Sequence, residues 1–183
     1  MSLASPVPVW LALAAGCAYG QQRYQAENLA PFVPSPQIVV DKMLEAAEVK
    51  SGETVFDLGC GDGRIVITAA QAFKAKGVCV ELASNLVKET KERVKRLGLE
   101  NRISVVQEHL LNVDLTPADV VTVYLLTSSN ELLKPNLEKL KPGARVVSHD
   151  FRMRGWKPDR TETVEASNRT HTIYVYRMPP KKE

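Results

Sequence analysis

The chain has 183 residues, 44% of them hydrophobic and 25% charged, with a net charge of +3. That length buries one sizeable core and not two, and the composition is globular rather than disordered. The charge excess is too small to argue for a nucleic-acid partner.

Residues 1–30 read as an apolar leader and linker, and residues 31–183 as the folded domain. The first twenty residues carry no charged side chain, and Val9 through Ala18 is unbroken apolar or small sequence. That run is too short to span a bilayer, which needs ~20 residues. No Lys or Arg precedes it, as a standard export signal requires, yet Ala14-Ala15-Gly16-Cys17 weakly resembles a lipoprotein cleavage box. Export signal, membrane anchor and disordered start all stay open for residues 1–20.

Gln21 to Pro36 is a linker stiffened at its end by Pro31, Pro34 and Pro36. Ser35 is expected to cap a helix with Pro36 at its first position. Val39, Val40, Met43, Leu44 and Ala47 then recur on one helical face. Thr54–Leu58 is the first predicted strand. It runs into a glycine-rich turn and a helix carrying Ile65, Ala69, Ala70 and Phe73. Gly77–Leu82 is the second strand. A helix from Asn85 follows, with Leu86, Val87, Thr90, Val94 and Leu97 inward and Gly98 closing it. Ile103–Gln107 and Asp119–Leu126 are the third and fourth strands, and the valines of the fourth suit burial on both faces. A helix from about Ser129 to Leu140 carries Pro135, which should kink it or mark a second start. Ala144–Ser148 is the fifth strand. Thr161–Glu165 and Thr172–Arg177 form a final antiparallel pair across Ser167-Asn168-Arg169. Trp156 is expected either to cap the site or to pack on the sheet.

Alternating strands and helices predict an α/β fold, doubly wound, with a mostly parallel seven-stranded sheet, helices on both faces and the last strand pair antiparallel. Ligands in such sheets bind outside the carboxyl ends of the strands. Cys17, Cys60 and Cys79 are widely spaced and suggest no disulfide framework, so Cys60 and Cys79 read as buried apolar filler. His109, His149 and His171 form no H-x-H or H-x-x-x-H pair, and no metal site is expected.

The strongest chemical signal is Asp57-Leu58-Gly59-Cys60-Gly61-Asp62-Gly63, directly after a strand and before a helix. Glycines let the backbone turn tightly and approach a ligand closely. A dinucleotide fingerprint would place a third glycine where Arg64 or Val66 stands, and no phosphate loop is present. A carboxylate at the strand end suits an amino-bearing ligand better than a pyrophosphate.

The loop resembles that of the class I methyltransferases, a Rossmann-like family whose cofactor is S-adenosyl-L-methionine. The resemblance implies that Asp57 bonds the cofactor's amino group while Gly59, Cys60, Gly61 and Gly63 wrap it. Glu81, closing the second strand, would accept both ribose hydroxyls. At the end of the third strand the family pattern places an acid that bonds the adenine amino group. Glu108-His109 stand there, and either is a candidate, although His109 replaces the usual Asp.

Methyltransferases acting on base amines usually carry Asn/Asp-Pro-Pro-Tyr/Phe after the fourth strand. Val123-Tyr124-Leu125-Leu126 stands here instead, so no nucleic-acid partner is expected. Pro31-Phe32-Val33-Pro34-Ser35-Pro36, the Asp57–Val66 stretch, and Val121–Leu126 with Ser148-His149-Asp150-Phe151 are similar to the small protein-lysine methyltransferases related to the ATP synthase c-subunit lysine methyltransferase. That likeness implies a protein substrate with an accessible lysine, and a membrane-associated one would be consistent with it. Tyr124, His149 and Asp150, at the ends of the fourth and fifth strands, are the catalytic candidates. Tyr124 would bond or stack on the lysine end, and His149 or Asp150 would orient the amine. The alternative readings are a sheet aromatic for Tyr124 and a loop-bracing pair for His149 and Asp150. A small-molecule methyltransferase and a non-catalytic cofactor-binding module are the competing functions. A monomer is expected. Its place would be the cytoplasm or the cofactor-containing side of a membrane, touched through residues 1–20, with export only if the leader is a true signal peptide.

Overall fold

A computed structural model describes residues 32–183, so the leader and its signal or anchor readings lie outside the described residues. Helix α1 spans Gln37–Ala46, α2 Arg64–Ala72, α3 Ser84–Arg96 and α4 Thr127–Leu137. Strands β1 to β5 are Thr54–Leu58, Lys76–Glu81, Ile103–Gln107, Val120–Val123 and Arg145–His149. They are followed by β6 (Trp156–Lys157), β7 (Arg160–Ala166), β8 (Arg169–Arg177) and β9 (Lys181–Lys182).

One sheet takes seven strands in the order β3-β2-β1-β4-β5-β8-β7. The first five are parallel, and β8 joins β5 antiparallel, with β7 folded back on it. The central strands β1, β4 and β5 are buried along nearly their whole length, because helices cover both faces. Val39, Met43 and Leu44 of α1 pack with Val55, Val120 and Val147 on one face. On the other, Leu133 and Leu137 of α4 meet Phe56, Val121 and Val123. Gly77 lets α2 settle close on β2, since a Cβ there would lie 2.7 Å from the Cβ of Val66.

Several sequence expectations need correction. Pro36, not Ser35, precedes the first turn of α1, and no side chain caps it. The fixed φ of proline starts this helix without help, which frees the Ser35 hydroxyl for another partner. Strand β4 is shorter than expected, and α4 starts sooner and tolerates Pro135 in its final turns. Leu97 is the C-cap residue of α3 and 42% exposed, past the end of the inward face. Arg169 belongs to β8, so the hairpin turn is only Ser167-Asn168, both at positive φ. Trp156 packs in the core, edge-on to Tyr176 with ring centroids 5.8 Å apart, and does not cap the site. It lies in β6, which pairs with β9 in a two-stranded patch too short to carry any periodicity. Cys60 and Cys79 are buried as expected but are paired as a disulfide, with Cα atoms 5.3 Å apart. The pair forms because β1 and β2 are neighbours, a fact that the spacing of the two residues along the chain does not contain.

The amino-terminal end of the parallel strands is clamped by one arginine. Arg145 opens β5, is nearly buried, and grips Glu53 with two guanidinium nitrogens at 3.0 and 2.6 Å. Its Nε donates to the carbonyl of Ala47, tying in the end of α1. Burial pushes the Glu53 carboxyl up, but the bonds from Arg145 and from the Lys50 N–H hold it below its ordinary value. Removing Arg145 takes the charged partner from the half-buried Glu53 and the donor from the Ala47 carbonyl. Arg145→Ala should therefore lower unfolding free energy by about 3 kcal/mol, read from urea denaturation.

Candidate active site

The carboxyl ends of β1, β2, β4 and β5 converge on one side of the sheet. The turn after β1 holds Gly59, Gly61 and Gly63 at φ values of 76°, 53° and 74°, a region that side-chain-bearing residues rarely adopt. The N–H groups of Gly59 and Cys60 donate to the Val80 carbonyl at 2.9 and 3.1 Å, which folds the turn over β2. Glu81 completes the closure. One carboxylate oxygen accepts from Gly61 N–H at 3.0 Å, and the other accepts from Leu82 and Ala83 N–H at 2.9 Å. Thr90 of α3 holds the turn from behind, donating to the Gly61 carbonyl at 2.7 Å.

Asp57 lies beneath this turn and is 4% exposed. The Thr122 hydroxyl donates to it at 2.8 Å. Burial pushes its carboxyl up to about 7, against the Thr122 bond, and the nearby carboxylates of Glu81 and Asp62 add to the rise. Among the described residues no lysine or arginine forms an ion pair with Asp57. A buried carboxyl poised in this way is suited to a ligand that brings its own cation.

The two residues expected near adenine are held locally. His109 caps a short 3-10 turn, its Nδ1 accepting from Leu111 N–H at 3.3 Å. Glu108 accepts from the N–H of His109 at 2.7 Å and from Asn112, and these bonds hold its carboxyl below the ordinary range. Both stand next to the end of β3, at the edge of the glycine turn's side of the sheet.

The acceptor-side candidates do come together. Tyr124 follows β4 and lies over the His149 ring, with centroids 3.9 Å apart. His149 is fully buried, and its two nitrogens are both engaged: Nδ1 with the Ser35 hydroxyl at 2.9 Å, Nε2 with His171 Nδ1 at 2.8 Å. Burial pulls its pKa down to about 4, partly opposed by Asp150, so the ring is neutral near pH 7. Asp150 adopts φ 60° and accepts from Thr172 N–H at 2.9 Å. Burial alone would raise its carboxyl, yet the Thr172 bond, Arg169 and His149 hold it below its usual value. Tyr124, by contrast, is raised by burial and by Asp150, and stays protonated.

Five residues of the site are not among the sequence candidates for it: Ser35, Arg64, Thr122, Arg169 and His171, the first three of which lie within the stretches that carry the family resemblance. No spacing reveals them, because they arrive from the leading segment, α2, β4 and β8. The leading segment 32–36 crosses the site as a strap. The Phe32 ring rests on Gly61, where a Cβ would come within 2.2 Å of it. Arg64, anchored on Asp62, donates to the Ser35 carbonyl at 2.7 Å. His171 reaches His149 because β8 runs antiparallel to β5, with Ile173 paired to His149. His149, Asp150 and His171 thereby place possible metal-ligand atoms within 4.8 Å of one another, a convergence that histidine spacing did not foretell. The Asp150 oxygen of that group is already bonded to Arg169 at 2.8 Å.

The family model described as the ANTKMT methyltransferase domain matches residues 57–160, more than half of the chain. This chain belongs to that family. It is 49% identical over 148 residues to a protein-lysine N-methyltransferase of Saccharolobus islandicus, covering 80% of this chain and 92% of the relative. It is 33% identical over 150 residues to the ATP synthase c-subunit lysine N-methyltransferase of Rattus norvegicus, covering 81% of this chain and 66% of that protein. A crystal structure of an RNA methyltransferase from Salinibacter ruber with S-adenosyl-L-homocysteine is 44% identical and superposes with a TM-score of 0.75, over 82% of this chain and 97% of that one. The protein is an S-adenosyl-L-methionine-dependent methyltransferase of class I fold. Its site fits that cofactor: a turn with glycine at alternate positions, a buried carboxyl that no lysine or arginine among the described residues pairs with, and a second carboxylate beside it.

Ser35 and His149 should be energetically coupled. A double-mutant cycle with Ser35→Ala and His149→Phe should give an interaction energy of about 1 kcal/mol in urea denaturation. Additive effects would show that the Ser35 hydroxyl does not hold His149.

Proposed function

We propose that this methyltransferase acts on the side-chain amine of a protein lysine. The observation that carries the reading is the Asp150 carboxylate beside the Tyr124 hydroxyl, a pair of acceptors that already holds a cationic nitrogen, that of Arg169. An ionised carboxylate attracts an ammonium group and repels a phosphate backbone. The names of the Saccharolobus and rat relatives support the same class of acceptor. The reaction belongs in a compartment that holds the cofactor.

When bound, the cofactor supplies a methyl group on a positively charged sulfur, open to in-line displacement. Asp57 would hold its amino group and Glu81 its ribose hydroxyls, with Glu108 or His109 toward adenine. A lysine must arrive neutral at the moment of attack, although its free pKa is near 10.4. Tyr124 and Asp150 would take N–H bonds from the amine and turn its lone pair toward the methyl group. The amine's proton would leave to water, and Asp150, held ionised, would stay as the counter-charge to the nitrogen that becomes positive on methylation. His149 stays neutral and fixes the Tyr124 ring from below.

The test is a radiolabelled-methyl assay on cell extract, followed by protease or nuclease treatment and acid hydrolysis. Methylated lysine recovered from protein is the expected product. Label released by nuclease, or confined to small molecules, would overturn the reading.

Asp57 yields a separate expectation. With a carboxyl poised at about 7, the cofactor's amino group meets a protonated partner at pH 6 and an ionised one at pH 8. Affinity for S-adenosyl-L-methionine should rise from pH 6 to about pH 7.5 as Asp57 ionises, and fall again above about pH 8 as the cofactor's α-amino group loses its proton. Calorimetry on the wild type and on Asp57→Asn, which should bind weakly and without this rise, checks it.

A further inference from the structure

The hairpin of β7 and β8 rises beyond the carboxyl edge of the sheet, since β5 ends opposite Ile173 while β8 begins at Arg169. Its turn is a tight two-residue one, so Arg169 is placed by backbone geometry beside the site. One nitrogen of its guanidinium, Nη2, donates to both Tyr124 and Asp150, at 3.0 and 2.8 Å. A single cationic nitrogen bridging a phenol oxygen and a carboxylate is the arrangement a lysine Nζ would make there. We propose that Arg169 is an internal stand-in for the substrate's ammonium group, and that an incoming lysine must displace it. This rests on the reading of lysine as the acceptor.

The chemistry of the two side chains supports an exchange rather than a permanent brace. Guanidinium and ammonium carry the same charge, so one replaces the other without leaving Asp150 bare. Arginine does not lose its proton in proteins, so Arg169 can hold the position without becoming a nucleophile itself. Its side chain is 48% exposed, and swinging it into water breaks no core packing. Asp150 keeps its bond from Thr172 N–H and its approach to His149 when Arg169 leaves. The latch also selects among acceptors: a cation competes for the position, and a neutral group of the same size does not.

The full-length protein can be titrated with n-butylammonium chloride, which carries the end of a lysine side chain, and with n-butanol as the neutral control, following Tyr124 and His149 by NMR. Arg169→Gln should bind the ammonium about fivefold more tightly than wild type, the scale of a half-exposed ion pair removed from competition. Arg169→Met should behave alike, and thermal melting confirms that both variants fold. Adding Asp150→Asn to Arg169→Gln should erase the gain, and n-butanol should bind all forms equally. Unchanged or weaker ammonium binding in both Arg169 variants would overturn the proposal and make Arg169 a brace. Because the probe needs no methyl transfer, tighter binding stands by itself even if the extract assay places the label outside lysine, in which case only the lysine reading falls.

Discussion

Two carboxylates buried side by side at the ends of adjacent parallel strands set the terms for this molecule. Asp57 and Glu81 close β1 and β2, each less than a tenth exposed. A polar group this deep needs hydrogen-bond compensation for the water it has lost. Glu81 receives it from three backbone N–H groups, one of which is the closing bond of the glycine turn. Asp57 receives only the Thr122 hydroxyl and is pushed toward neutrality. A ligand that brings a positive charge to Asp57 would offset that imbalance.

The strap of residues 32–36 links this cofactor side to the acceptor side. Phe32 lies on Gly61, Ser35 bonds His149, and Arg64 fastens the Ser35 carbonyl to the start of α2. The close approach of the Phe32 ring gives Gly61 a packing role in addition to its backbone conformation. The strap through Ser35, and β8 through His171, engage both nitrogens of the buried, neutral His149 ring. That is a scaffold for Tyr124, not a titrating base near neutral pH. Strand-end position alone leaves His149 and Asp150 open to either orienting the amine or bracing the loop. In the structure His149 is bonded to Ser35 and His171, and Asp150 accepts from the Thr172 N–H and from Arg169.

Much of the fold is legible along the chain. Valine-rich strands, one-faced helices and the glycine turn are local patterns, set by backbone sterics and the repeat of each element. The expected α/β sheet with its antiparallel final pair is the one observed. The cofactor loop is legible for the same reason: strand end, acid and glycines are contiguous, so one stretch of sequence holds the whole device. Errors fall at element ends, where Ser35 or Pro36, Leu97, and the last residues of β4 depend on packing.

The sequence by itself determined the class of fold, the cofactor and the candidates at the strand ends, because those depend on residues close together in the chain. Tertiary structure alone decided the acceptor side. Ser35, Tyr124, His149, Arg169 and His171 come from the strap, β4, β5 and β8, and they meet only once β8 inserts antiparallel beside β5. The same is true of the Cys60–Cys79 pair. Local propensity carries no information about which strands become neighbours, and hydrogen bonds between side chains reach only a few ångströms. Their partners are therefore chosen by the packing of the whole sheet.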